Sequence, residues 1–299
     1  MKLKTLTAHD RETFDAFLAL KPHTLSAYAF ENIYIWKALF SISWDIFKGA
    51  LCVFFTDGIG TFMYLPPLAL EADPAVIDAA FTLMDRRNTA PSVSRIENIE
   101  ESDSVFYRQQ GFDCGKKFGD YLCSRQDLAA LKGGRFKSKR SAVNYFEKHT
   151  RTSYQPYTAE YKQACLQLYR DWMRSRSILN QDTVYQGMLG DSLKSLTVLL
   201  EEYPVFKMPG RLVMIGSQVK AFTFGFKLAD DTFCIAYEVC DLAVKGLSQY
   251  IFRRFSEELK EYRYINIMDD SGLENLKKVK ESYHPLRVIP NYVARKTIA

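Results

Sequence analysis

Glu238 carries the strongest claim to chemistry in this sequence. It follows Phe233-Cys234-Ile235-Ala236-Tyr237, an apolar run in which an ionised carboxylate is costly unless it is paired or put to use. Asp269 and Asp270 stand between a strand pattern and a helix pattern, where an acidic side chain either caps the helix or faces a cleft. Lys277, Lys280 and Tyr283 belong to that next helix, with positions 276, 280 and 283 on one face. A carboxylate in such company can accept the proton of an attacking amine or hydroxyl, or hold an ammonium group. A lysine can stabilise an oxyanion or a phosphate, and a tyrosine can give a proton to a leaving oxygen. The same residues also suit a capped, solvated amphipathic helix, and both readings stay open at this point.

A second concentration of function lies in the charges. Residues 1–131 hold 13 Lys/Arg against 17 Asp/Glu, whereas residues 132–299 hold 27 against 18. The excess gathers in residues 132–151, where Lys132, Arg135, Lys137, Lys139, Arg140, Lys148 and Arg151 face one acid, Glu147. Basic side chains at a helix start, with Gly133 and Gly134 just before it, suit a phosphate-bearing ligand. Arg135, Lys137, Lys139 and Arg140 are the candidates for that contact. Few aromatics interleave with them, which disfavours stacking on single-stranded bases and leaves tRNA backbone, an anionic lipid head group or a nucleotide as ligand classes. A solvated charge run is the competing reading.

Other chemistries have no foothold. The six cysteines form no CxxC, the four histidines are scattered, and no HExxH occurs, so buried thiols and no metal site are expected. No run of about 18 uncharged apolar residues exists, and the N-terminal MKLKTLTAHDRE lacks the apolar core of a signal peptide. The expectation is a soluble cytoplasmic protein without a transmembrane segment.

The elements that must position these residues can be read from periodicity. A chain of 299 residues is about two domains long. The first half offers a helix over Leu25–Phe40, short strands at Trp44–Phe47 and Leu51–Phe55, a hairpin through Asp57-Gly58-Ile59-Gly60, and a helix opened by Asp73-Pro74. A strand at Val93–Ile96, a helix ending at Gly111 and an extended run to Cys123 complete it. The second half offers a helix over Lys139–His149 with Ser138 as its cap, and a longer one from Thr158 to about Arg176. Strands at Arg211–Ile215, Lys220–Lys227 and Phe233–Cys240 follow, then a helix over Leu247–Glu261, a strand over Tyr264–Met268, a helix over Leu273–Tyr283 and a last strand over Leu286–Arg295. Each half is thus a mixed α/β unit built on an antiparallel meander. The expected division is 1–124 and 125–299.

Two passages carry a resemblance. Phe106-Tyr107-Arg108-Gln109-Gln110-Gly111-Phe112 resembles a helix-to-strand passage of the acetyltransferase-like (GNAT) fold. Gly272-Leu273-x-x-Leu276-Lys277-x-x-Lys280-x-x-Tyr283-x-Pro285, then Tyr292, resembles the end of the phosphatidylglycerol lysyltransferase C-terminal-like family and its soluble relatives. Ala221-Phe222-Thr223-x-Gly225, Glu238, Asn266-x-x-Asp269-Asp270 and the Lys132–Arg140 passage fall in that family's order, as does Phe30–Trp36. The resemblance implies two tandem GNAT domains with mixed, mostly antiparallel central sheets. It also implies an acyltransferase that moves an aminoacyl group from aminoacyl-tRNA to a lipid or amine acceptor. Glu238, Asp269, Asp270 and Tyr283 are then catalytic, and Arg135, Lys137, Lys139, Arg140, Lys277 and Lys280 bind substrate. The chain departs from the family at Val239, Ile267 and Met268, where a Lys, an Arg and a Glu are usual. One alternative is an acyl coenzyme A-dependent N-acyltransferase, with Val244-Lys245-Gly246-Leu247-Ser248 standing where the pyrophosphate loop belongs. The other is a non-catalytic anion-binding module, which Ile267 and Met268 would suit.

Overall fold

The computed structural model describes residues 1–297. Its described residues divide into two compact units, residues 1–120 with 289–297, and residues 121–288.

The first unit begins with β1 (Lys4–Thr5), α1 (Arg11–Leu18) and α2 (Phe30–Tyr34). Next come β2 (Ser41–Phe47), β3 (Ala50–Thr56) and β4 (Thr61–Met63), an antiparallel meander whose middle strand is buried almost throughout. Then α3 (Pro74–Arg87) starts where expected, with Asp73 accepting the Ala75 N–H and proline in the first turn. It leads to β5 (Arg95–Glu100), parallel to β4, then α4 (Glu101–Gln109) and β6 (Phe112–Ser124).

The second unit repeats that order after a prelude. Its entry is α5 (Arg125–Ala130), α6 (Lys137–His149), β7 (Ser153–Pro156), α7 (Lys162–Leu179) and α8 (Thr183–Glu201). An antiparallel meander follows, β8 (Gly210–Ile215), β9 (Gln218–Lys227) and β10 (Thr232–Cys240). Then come α9 (Leu247–Glu258), β11 (Tyr264–Asn266) parallel to β10, and α10 (Glu274–Glu281). The last residues of β6 pair antiparallel with β11 in this unit, while the final strand, β12 (Arg287–Lys296), pairs antiparallel with β5 in the first.

Two apolar clusters in the second unit fix what surrounds β10. One gathers Phe233, Ile235, Phe252, Phe255, Ile265 and Tyr283; the other joins Val143 and Phe146 of α6 to Leu247, Tyr250 and Ile251 of α9. Burying side chains of this size stabilises by roughly 1.5–3 kcal/mol each, so α6, α9 and β10 are held firmly together.

Several expected elements differ in detail. Residues 25–29 are not helical: Asn32 donates to the Ser26 carbonyl and Ser26 N–H to Asp120, so side chains compete for that backbone. The cap of α6 is Phe136 rather than Ser138, after a short 3₁₀ turn at Gly134–Phe136. The strand expected to reach Met268 stops at Asn266, because Met268 adopts φ +58° and donates its N–H to the Asn266 side chain at 2.7 Å. Neither β7 nor α8 was expected. Gly187 and Gly190 interrupt the apolar period of α8.

Candidate functional site

The site forms where β10 loses one neighbour. β10 and β11 are laddered only over Thr232–Cys234 with Tyr264–Asn266. The register with β9 then slips between Ile235 and Tyr237, and beyond this bulge Glu238 lies opposite Thr223 of β9. A bulge re-aims the side chains that follow it. Tyr237 turns to one face, where its hydroxyl meets Ser195 of α8 at 2.6 Å, and Glu238 turns to the face covered by α9 and α6.

There Glu238 receives one hydrogen bond, from Ser248 Oγ to its Oε1 at 3.0 Å. Its Oε2 is buried without a hydrogen-bond partner. Burial outweighs the Ser248 bond and the field of Lys139, and the carboxyl is pushed up to about 7. Tyr283, 6% exposed, packs against Phe252 with ring centroids 4.4 Å apart. Burial first, and the Glu238 charge second, hold its hydroxyl well above the usual phenol range, so it stays protonated.

Lys139 completes the cluster from α6. Its Nζ donates to Ser282 Oγ at 2.7 Å and lies 4.0 Å from the centroid of the Tyr283 ring. Burial lowers its ammonium below the usual lysine range, while Glu238 acts in the opposite sense. Lys280 donates to the Ile267 carbonyl from α10. The structure therefore gathers Glu238, Tyr283 and Lys139, with Ser248 and Ser282 as their hydroxyl partners.

The other candidates are attached elsewhere. Asp269 accepts the N–H and the hydroxyl of Ser271 at 2.7 and 3.1 Å. Asp270, buried, accepts the Tyr121 hydroxyl at 2.6 Å and the Gly272 N–H at 2.9 Å. Neither caps α10, whose N-cap is Leu273. Arg140 donates to the carbonyls of Leu131 and Gly133, tying down the loop that enters α6. Arg135 pairs with Asp127 at 2.7 Å and remains half exposed, and Lys137 and Lys277 are exposed. Sequence reasoning named Ser248 only as the end of the Val244–Ser248 passage, not as a partner of Glu238, and missed Ser282, which nothing in its local context marks.

The start of α9 has a particular environment. Gly246 is its N-cap, at φ +84°, and a Cβ there would run into the backbone carbonyl of Ala142 in α6. Only glycine meets both conditions. Separately, a cleft of about 430 Å³ lies between α7, the turn at Ser217 with the first residues of β9, and residues 241–243. Among the described residues no helix is long and apolar enough to cross a membrane, and no cluster of three metal-ligating side chains occurs.

A meander, a helix, a parallel strand and a second helix, occurring twice, define a tandem acetyltransferase-like fold, and solved structures share it. A tandem GNAT protein from the clavulanic acid biosynthesis pathway superposes with a TM-score of 0.54 at 10% identity, over 100% of this chain and 99% of that one. A conserved Bacteroides thetaiotaomicron VPI-5482 protein of unknown function gives 0.87 at 24% identity, over 99% and 100%. The L-PGS structure from Bacillus licheniformis gives 0.65 at 17% identity, over 97% and 93%. Residues 18–295 match the family described as phosphatidylglycerol lysyltransferase, C-terminal, and the chain belongs to that family. No curated protein matches it.

Proposed function

We propose that this chain is an aminoacyltransferase of the acyltransferase class, taking its aminoacyl group from aminoacyl-tRNA, with Glu238 as the general base. The observation that carries the reading is the state of Glu238: one oxygen held by Ser248, the other buried and unpartnered, and an acidity near neutral pH. A base of that strength exchanges protons efficiently at working pH. The acceptor's proton passes to Glu238 as the acceptor atom bonds to the ester carbonyl carbon. The ester C–O bond then breaks and the ribose oxygen leaves with a proton. Tyr283, protonated and beside Glu238, is the donor to that oxygen. Family membership supports the transferase class.

The choice of donor follows from α6 and α9. A coenzyme A pyrophosphate in this fold needs the first turn of a helix such as α9. Here the backbone of Ala142 packs against Gly246 at that turn, which favours a donor other than the coenzyme. Arg135 and Lys137, exposed at the start of α6, are instead available to tRNA phosphates.

The test offers purified protein total charged tRNA or acetyl coenzyme A, each with mixed anionic lipid vesicles and with small amines. Deacylation of tRNA and release of coenzyme A thiol are followed. Discharge of tRNA that disappears in Glu238→Gln is expected. Thiol release without tRNA discharge would overturn the reading.

A further inference from the structure

Proteins hold an alkylammonium group with a carboxylate, a hydroxyl oxygen and the face of an aromatic ring. Glu238, Ser282 and Tyr283 supply all three in the second unit. The Ser282 hydroxyl is already committed as a donor, to the Val279 carbonyl at 2.6 Å, so its lone pairs are what it offers a cation. The position is filled by the chain itself. Lys139 Nζ sits 2.7 Å from Ser282 Oγ and 4.0 Å from the Tyr283 ring centroid, in the field of Glu238. Its helix is anchored by Val143 and Phe146 in the core and by the Ala142 contact with Gly246.

We infer that Lys139 is a specificity-determining residue: its ammonium occupies the cation subsite made by Ser282 and Tyr283 in the field of Glu238, and so excludes aminoacyl groups with a cationic side chain in favour of neutral ones. The substrate clause rests on the aminoacyl-transfer reading above, whereas the occupied subsite is a property of the folded chain alone. A second ammonium brought to the same ring and hydroxyl would meet a like charge already hydrogen-bonded there, and close like charges in a half-buried site repel strongly.

Lys139→Ala removes the ammonium and its stem, and n-propylammonium chloride supplies both in solution. The amine is expected to raise the melting temperature of Lys139→Ala saturably, since a ligand that binds the native state stabilises it. It should leave the parent and the double variant Lys139→Ala/Glu238→Gln unmoved, and n-propanol should shift none of them. Equal shifts by amine and alcohol would overturn the proposal. Lys139→Met, which keeps the stem without the charge, serves the substrate clause and also covers the case in which the alanine variant does not fold. Lysine amide is compared by the same shift with norleucine amide, whose side chain lacks the terminal ammonium and is uncharged. The parent should favour norleucine amide, and Lys139→Met should move the ratio of apparent affinities at least tenfold toward lysine amide. A parent that prefers lysine amide would refute the proposal. Rescue by propylammonium with neither amide bound would uphold the filled subsite, and would overturn the substrate clause together with the aminoacyl reading.

Discussion

Replacing Glu238 with Gln should change how stability depends on pH more than it changes stability itself. In the unfolded chain the carboxyl titrates near 4.5, and in the folded protein near 7. Between those values the folded state holds a proton that the unfolded chain has released, so stability falls as pH rises through this window and levels off above it. The separation corresponds to about 3 kcal/mol at about 1.4 kcal/mol per unit. Glutamine cannot ionise, and its amide still accepts from Ser248. The amide nitrogen in the place of Oε2 carries a buried N–H cost of about 1–3 kcal/mol, but that cost is the same at every pH. Urea unfolding of parent and variant at pH 4 and pH 8.5 isolates the linkage, because every other titration cancels in the difference. The stability of the variant relative to the parent should improve by about 3 kcal/mol from the lower to the higher pH. A relative stability equal at both values to within about 0.5 kcal/mol would mean that Glu238 ionises as an ordinary carboxyl, and its role as a base at neutral pH would fall with it. Transfer by the parent, by the same reasoning, should rise as pH passes through about 7.

Gly246→Ala should destabilise by about 2 kcal/mol or more in urea titrations, since the new methyl meets the Ala142 carbonyl and the residue sits at positive φ. Arg140→Ala should cost about 1–2 kcal/mol by the same measurement, because two loop carbonyls lose a charged donor. The pair Arg135→Ala and Lys137→Ala, on exposed residues, should leave stability within about 0.5 kcal/mol. That pair should nonetheless weaken tRNA binding and flatten its salt dependence, which filter binding across a salt series would read.

What the sequence makes legible is set by the range of the interactions. The meander ending at Cys240 can be read from alternating apolar residues, and the start of α3 from Asp73-Pro74, because both signals lie within a few residues. The charge at Glu238 on an apolar strand is legible for the same reason. The direction of Lys139 is not. As a sequence it is one of seven basic residues in 132–151, and only the packing of Val143 and Phe146 on α9 turns it toward Ser282 and Tyr283. The attachments of Asp270 to Tyr121 and of β12 to β5 join residues 149 apart and strands nearly two hundred residues apart, and local patterns hold no record of either.

Two glutamates, Glu100 buried and Glu238 half-buried, show why the proposed chemistry suits one of them. Glu100, in the first unit, accepts from the Thr24 N–H and the Thr24 hydroxyl, each at 2.7 Å, and is 2.9 Å from His23 Nδ1. Burial alone would raise its carboxyl, yet these contacts outweigh burial and hold it below the usual range. Glu238 has one donor and one empty oxygen, and burial wins. The residue type is the same and burial raises both, so the number of donors decides the sign of the shift. Glu100 accepts on both oxygens and has too little basicity to take a proton at pH 7, and it serves to pin His23 and Thr24 to β5. A carboxylate left half satisfied beside a protonated tyrosine keeps both an available oxygen and the basicity to use it. On the proposed reading, proton transfer at neutral pH falls to Glu238, at the point where β10 has left β11 behind.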